Sequence, residues 1–266
     1  MLGLGVSLST SGGVSLLLPS DISGLDVWFK VNTGIVGNAG GASDDGEMSD
    51  GEDINSWADQ SGNSRHASQT VDTRKPHWET DAADFGGLVW PDDTADTHLN
   101  MATNVGGNTD NIEASEDFTI MIRVKFTDFT TAMGLIGSAS KEVIKWTSNK
   151  RGGVFIGGNN PIIEFEESSD TLADDTYYIH TLTRKDGSTG NLTYHVHGGS
   201  YDDKFWDDDS STRQDADAFI LNNIGCAANS ALPVEGVFKD VLVWKGTALS
   251  ESQRQEMYTY INGQAY

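Results

Sequence analysis

Apolar residues recur at every second position in several separate stretches of this chain, a period that belongs to β-strands with one buried face. The clearest case is Phe118, Ile120, Ile122, Val124 and Phe126, alternating with Thr119, Met121, Arg123 and Lys125. Its length and regularity predict a strand in the middle of a sheet. Leu25, Val27, Phe29 and Val31 alternate with Asp26, Trp28 and Lys30 and predict another. Residues 88–90, 135–136, 143–146 and 154–156 predict short strands, and Gly157-Gly158-Asn159-Asn160-Pro161 predicts a hairpin turn into 162–167. Residues 177–184 alternate again, Asp186-Gly187 and Gly190 supply a turn, and Leu192, Tyr194 and Val196 mark the returning strand. Phe205-Trp206 leads into Asp207-Asp208-Asp209, read as an acidic loop, and residues 219–221 form a short apolar run. The last long strand is 237–244. Ser250 and Gln253 then form a capping box for a helix that carries Met257, Tyr258 and Ile261 on one side and stops at Gly263.

About a dozen short strands with one helix, and no repeat of fixed period, exclude a propeller or a solenoid. The pattern predicts an all-β fold of two antiparallel sheets packed face to face, with a short C-terminal helix. Two stretches interrupt it. Residues 37–53 are rich in glycine and acid, with Asp44, Asp45, Glu47, Asp50, Glu52 and Asp53, and residues 100–115 are polar; both read as surface insertions. Residues 1–20 are mostly Gly, Ser, Leu and Val without a charged side chain, and are set apart as an extended arm preceding a domain at 21–266. Leu2, Leu4, Val6, Leu8 and Val14 are its candidate assembly contacts, either as a strand added to a neighbouring subunit or folded back on the domain itself.

Charge narrows the partners. The 266 residues include 40 Asp and Glu against 17 Lys and Arg, a net charge of −23. Spread over the roughly 11,000 Å² that a folded chain of this mass exposes, it repels phosphate backbones and anionic lipid surfaces. Direct nucleic-acid binding is therefore not expected. No apolar run reaches 18 residues and no positively charged n-region precedes Leu16-Leu17-Leu18, so neither membrane insertion nor a signal peptide is expected. The single cysteine, Cys226, gives no intrachain disulfide, reads as a small core residue and points to assembly inside a cell. Asn191-Leu192-Thr193 is a glycosylation sequon with nothing else on the chain to suggest a secretory route.

One motif stands out. Trp57-Ala58-Asp59-Gln60-Ser61-Gly62-Asn63-Ser64-Arg65-His66-Ala67 puts a large aromatic ahead of Asp, Ser, Gly and Asn. Asp and Asn side chains bond nearby backbone and glycine accepts positive φ, so a compact turn pinned by Trp57 is expected. On the residues alone it is a structured turn, with His66 hydrogen-bonded inside it. With residues 24–31, Phe85-Gly86-Gly87 followed by Asp92, Asp93 and Leu99, and the tail from Val237 to Ile261, the motif Trp57, Asp59, Ser61, Gly62, Asn63, His66 resembles the signature of laminin-G-like, concanavalin-A-like jelly-roll domains. The opening Met1-Leu2-Gly3-Leu4-Gly5 resembles structural proteins of marine tailed phages. The resemblance implies a jelly-roll sandwich in a virion structural protein, a head decoration or tail or fibre component. Such a protein is assembled in the host cytoplasm as a homo-oligomer, with the arm joined to other virion proteins. The alternative is an adhesin that recognises host surface glycan, and a third reading is a glycoside hydrolase, since this fold also hosts those enzymes.

Candidate chemistry is sparse, and no enzymatic activity is expected. Glu164 and Glu166 share a strand face, the nearest approach to a hydrolytic carboxylate pair, but a solvent-facing acidic strand accounts for them, and the Glu-x-Asp-x-x-Glu arrangement of the fold's β-glucanases is absent. His195 and His197 project from one face of a strand and form a candidate metal pair lacking a third ligand in sequence. Clustered acids suit calcium, without EF-hand spacing, and no cofactor is expected. Trp90 and Trp206 sit beside turns and are the candidate platforms for stacking on a glycan.

Overall fold

Alternation sorts each strand into an inward and an outward set of side chains, and two sheets bury the inward sets against each other. The structure is a computed structural model. It describes residues 17–38, 48–80, 86–90, 97–101, 112–113, 116–139, 142–156, 163–166, 170–185, 192–208, 218–227 and 232–263. The strands are β1 (Leu25–Lys30), β2 (Ile35–Gly37), β3 (Ile54–Trp57), β4 (Ala67–Ser68), β5 (His77–Glu79), β6 (Gly87–Trp90), β7 (Leu99–Met101), β8 (Phe118–Phe126), β9 (Met133–Ala139), β10 (Glu142–Ser148), β11 (Arg151–Phe155), β12 (Ile163–Glu166), β13 (Tyr177–Arg184), β14 (Leu192–Gly198), β15 (Tyr201–Asp208), β16 (Asn223–Ile224) and β17 (Gly236–Lys245). The helix α1 spans Glu251–Asn262.

The first sheet runs β15-β14-β13-β8-β17-β6-β5, with β1 also paired to β17, and the second runs β12-β11-β10-β9-β16-β7-β4-β3-β2. Every neighbouring pair is antiparallel. The chain is therefore the expected all-β sandwich with a short C-terminal helix. At one side the sheets are stitched together. Trp78 of β5 donates its N–H to Glu52 O (2.8 Å) and accepts from Gly51 N (2.8 Å), while Ile54 N, at the start of β3, donates to Pro76 O (2.8 Å). Edge groups that would otherwise invite another chain are thereby used.

The core between the sheets holds Phe29, Trp57, Trp90, Phe118, Phe126, Trp146 and Phe238, all essentially closed to solvent. A second cluster lies on the outer face of the first sheet, where Met121, Ile179, Leu242 and Trp244 meet Met257, Tyr258 and Ile261 of α1. The central strands β8 and β17 are thus buried on both faces. This is why Met121 and Leu242 occupy the positions that strict alternation would give to polar groups. Ser250 caps α1 as its sequence foretells, its side chain accepting from Gln253 N while its N–H donates to Gln253 Oε1. Cys226, the single cysteine, is buried.

Several expectations shift. Leu25 does not share the core face with Val27, Phe29 and Val31, because the register slips between Leu25 and Val27 and turns Leu25 into the outer cluster. Asp207 and Asp208 belong to strand β15 and not to a loop. Residues 17–20, grouped by sequence with the arm, are packed on the sandwich: Leu17 lies against the outer cluster, Pro19 is buried, and Trp244 Nε1 donates to Pro19 O (3.3 Å). The assembly contacts Leu2, Leu4, Val6, Leu8 and Val14, and the turns at 157–161 and 186–190, lie outside the described residues.

The core also carries a short polar chain. Trp146 Nε1 donates to Tyr194 Oη (3.2 Å), which lies 3.1 Å from His180 Nδ1, and His180 Nε2 has no partner. Burial pushes the His180 pKa down to about 3, so the ring is neutral in the fold but titrates at its ordinary value, about 6.5, in the unfolded chain. Unfolding therefore takes up a proton between those pH values. His180 leaves stability complete above pH 6.5 and erodes it as pH falls toward 3, by about 2–3 kcal/mol at pH 4.5. Urea midpoints measured from pH 8 to 4.5 should fall across that window, and His180→Phe should flatten the fall.

Candidate functional site

The signature turn is a clip on strand β1. Asp59 Oδ1 accepts from Trp28 N (2.9 Å) and Ser61 N (2.9 Å), and Oδ2 accepts from Ser61 Oγ (2.7 Å) and Arg65 N (3.1 Å). Asn63 Nδ2 donates to Leu25 O (3.0 Å), and the Arg65 guanidinium grips Asp26 with two bonds (2.9 and 2.8 Å). Trp57 Nε1 donates to Lys30 O (2.9 Å), and His66 Nδ1 accepts from Asp59 N (3.1 Å). Gly62 takes positive φ (90°) at the tip. The Asp59 carboxylate, the Ser61 hydroxyl, the Asn63 amide N–H, the Arg65 guanidinium and the Trp57 N–H are spent on backbone or on neighbours, so the motif works as a clip.

His195 and His197 do share a face, the one covered by α1. There they meet Tyr258 and two residues that sequence did not single out, Asp203 and Arg254. Asp203 accepts from Arg254 (NH2 to Oδ2, 2.8 Å) and from Tyr258 Oη (2.7 Å), and His197 stacks on Tyr258 with ring centroids 4.3 Å apart. His195 Nε2 lies 3.5 Å from Arg254 NH2. Burial lowers the His195 pKa, the adjacent Arg254 lowers it further and Asp203 opposes them, leaving it at about 4. A guanidinium stands beside one imidazole and a phenol ring against the other, so both histidines pack under the helix. Among the described residues no three His, Cys, Asp or Glu side chains are arranged to hold a metal ion.

The tryptophan platforms are corrected too. Trp90 is wholly buried against Phe238 (4.6 Å between centroids), and Trp206 packs in the core against Trp146 (5.4 Å). Neither offers a ring face to a ligand outside. Each side chain points inward. The exposed large aromatic among the described residues is Phe205, within β15 and edge-on to His195 (5.5 Å). Glu164 and Glu166 share one partner, Arg151 (2.7 and 3.8 Å), in an exposed ion-pair group. Of the acids considered for calcium, Asp44, Asp45 and Glu47 lie outside the described residues. Asp50 accepts from Thr80, Glu52 from Ser49, and Asp53 sits 2.8 Å from His77.

A surface that sequence reasoning missed emerges from the register of the second sheet. Ile35, Trp57, Ala67 and Met101 stand opposite one another and face the core. The residues next to them must face outward, and they too form a row: Val36 opposite Ser56, Ser56 opposite Ser68, Ser68 opposite Asn100, and Asn100 opposite Asn223. The row continues through Gly137 to Val143 and Phe155. Val36 is exposed, and Ser56, Ser68 and Asn100 are half-buried. Asn223 is buried, and its Oδ1 has no hydrogen-bond partner. At the strand spacing of about 4.8 Å, Ser56 to Asn223 covers about 14 Å of uncharged hydroxyls and amides. The four residues are far apart in sequence, and only strand pairing aligns them.

Neither protein-family profiles nor curated protein sequences give a match to this chain. Solved structures share its fold at low identity. The binding domain of Paraclostridial Mosquitocidal Protein 1 aligns at 12% identity over 91% of this chain and 53% of that one, with a TM-score of 0.54. The binding domain of botulinum neurotoxin serotype D/C aligns at 13% identity over 92% and 53%, with a TM-score of 0.51. Trypanosoma rangeli sialidase in complex with the inhibitor DANA aligns at 12% over 92% of this chain and 34% of its own, with a TM-score of 0.52. The chain thus spans between a third and about half of these structures, and what it shares with them is the two-sheet β-sandwich.

Proposed function

We propose that this chain is a carbohydrate-recognition module that holds a glycan on its surface without cleaving it. The observation that carries the reading is the outward row Ser56, Ser68, Asn100 and Asn223, since sugar hydroxyls are bound by short hydroxyl and amide groups held on a rigid sheet. Two of the structures that share the fold are binding domains by name, which fits a sandwich used for attachment. A fold alone does not fix a function, so the surface has to decide it. Hydrolysis finds no support: the carboxylates closest to a catalytic pair, Glu164 and Glu166, are both committed to Arg151 in an open ion-pair group. On a glycan array the chain should be retained by at least one class of oligosaccharide. Retention by none, at protein concentrations reaching the millimolar range, overturns the reading.

Display on a particle such as a phage virion, through a laminin-G-like jelly roll with an N-terminal arm, is a second reading. It is favoured by the packing of Leu17 and Pro19 on the outer cluster, which gives any preceding apolar arm a fixed root. Deleting residues 2–16 should abolish association with neighbouring copies while leaving the melting temperature unchanged. Unchanged association rules out the arm as a tether.

A further inference from the structure

We infer that the ligand of the sheet row is an uncharged, hydroxyl-rich oligosaccharide lying across strands β3, β4, β7 and β16, and that acidic sugars are rejected there. The inference rests on the carbohydrate-recognition reading and adds to it the binding face and the charge of the ligand.

Three observations carry it. The first is the charge of the row. Ser56, Ser68, Asn100 and Asn223 are all neutral. The cations that the register places on the same sheet face, among the described residues, lie off the row on β10 and β11: Arg151 is bonded to Glu164 and close to Glu166, and Lys145 packs over the Phe155 ring, 4.3 Å from its centroid. Among the described residues no cation stands on the row itself, so a carboxylate there would meet the field of a chain whose net charge is −23 without a counter-charge beside it. A neutral sugar pays no such penalty.

The second is the amide of Asn223. It is closed to solvent and its Oδ1 lacks a donor. Whichever way the amide is turned, one of its polar atoms is left for a partner. A sugar hydroxyl can donate or accept and satisfies either orientation.

The third is the shape of the row. Its members repeat at the strand spacing over about 14 Å, longer than a single pyranose ring, with two hydroxyls followed by two amides. Successive sugars of an extended chain would each meet one pair of groups. The closed end at Asn223 and the exposed end at Val36 give the row a direction, with the ligand leaving the sheet over β2.

The test is isothermal titration of the full chain with cellotetraose, maltotetraose and a galactose tetramer, against 3′-sialyllactose and tetragalacturonate. At least one neutral tetramer should bind with an affinity roughly unchanged between low and high salt. Asn100→Ala and Ser68→Ala should each weaken that binding about tenfold. Phe205→Ala, on the other sheet, should leave it unchanged, and melting curves confirm that each variant is folded. Binding of the acidic sugars alone overturns the inference and leaves carbohydrate recognition standing. Binding of a neutral tetramer that Asn100→Ala and Ser68→Ala do not weaken overturns the row as the site. Binding of no sugar by the folded wild-type chain removes both readings together.

Discussion

Asp59→Ala should lower the stability of this protein by about 3 kcal/mol, read as a drop in the urea midpoint with an unchanged slope. The carboxylate is buried and accepts from three backbone N–H groups, those of Trp28, Ser61 and Arg65, and from the Ser61 hydroxyl. Alanine leaves those donors inside the turn without an acceptor. The cost of an unmade bond is the desolvation of the group left behind, which exceeds the modest gain from making it. The damage reaches strand β1, whose Trp28 N–H faces the turn while its other edge pairs with β17. Asp59→Asn keeps one acceptor oxygen of the same shape and should cost about half as much. Equal stabilities for wild type and Asp59→Ala would show that the clip is decoration.

Gly225→Ala should be as damaging, about 3–4 kcal/mol, by a different route. Gly225 has φ of +82°, and a methyl built on it would lie 2.0 Å from Trp90 Nε1. Its backbone is fixed on both sides, with its N–H donating to Leu135 O (2.9 Å) and its carbonyl accepting from Val234 N (2.9 Å). The chain cannot retreat, so Trp90 must leave its place against Phe238. Tryptophan emission should shift to the red together with the fall in urea midpoint. A stability loss under 1 kcal/mol with unshifted emission would show that the contact relaxes. Gly225 follows Asn223 by two residues, so the same variant should also weaken any ligand held by the sheet row.

How much of this was legible in the sequence depends on whether a feature is local. Strands β8, β13 and β17 announce themselves by period, and α1 by the Ser250–Gln253 box, because each signal lies within one element. The turn at 57–67 was legible for the same reason. Strand β15 was not: Asp202, Asp203, Asp207 and Asp208 give it the composition of a loop, and it is held as a strand by pairing with β14. Asp203 is kept as a carboxylate by Arg254 and Tyr258 from a helix some fifty residues on. The tryptophans misled because neighbouring turn residues say that the chain is near the surface but not which way a side chain points. Leu25 misled because a one-residue slip of register reverses the faces. The Ser56, Ser68, Asn100 and Asn223 row had no sequence signal at all. Each residue is an ordinary short polar group, and the surface exists only once four separate strands are set in register.

Recognition without chemistry can be tested in one measurement. The protein is incubated overnight with a mixed pool of oligosaccharides, and the sugars that stay with it and those left free are weighed by mass spectrometry. The expected result is one or more neutral oligosaccharides enriched on the protein at their original mass, with no shorter products in the free pool. Shortened sugars accumulating in proportion to time and protein, and lost on Glu164→Gln or Glu166→Gln, would contradict it and make this sandwich an enzyme.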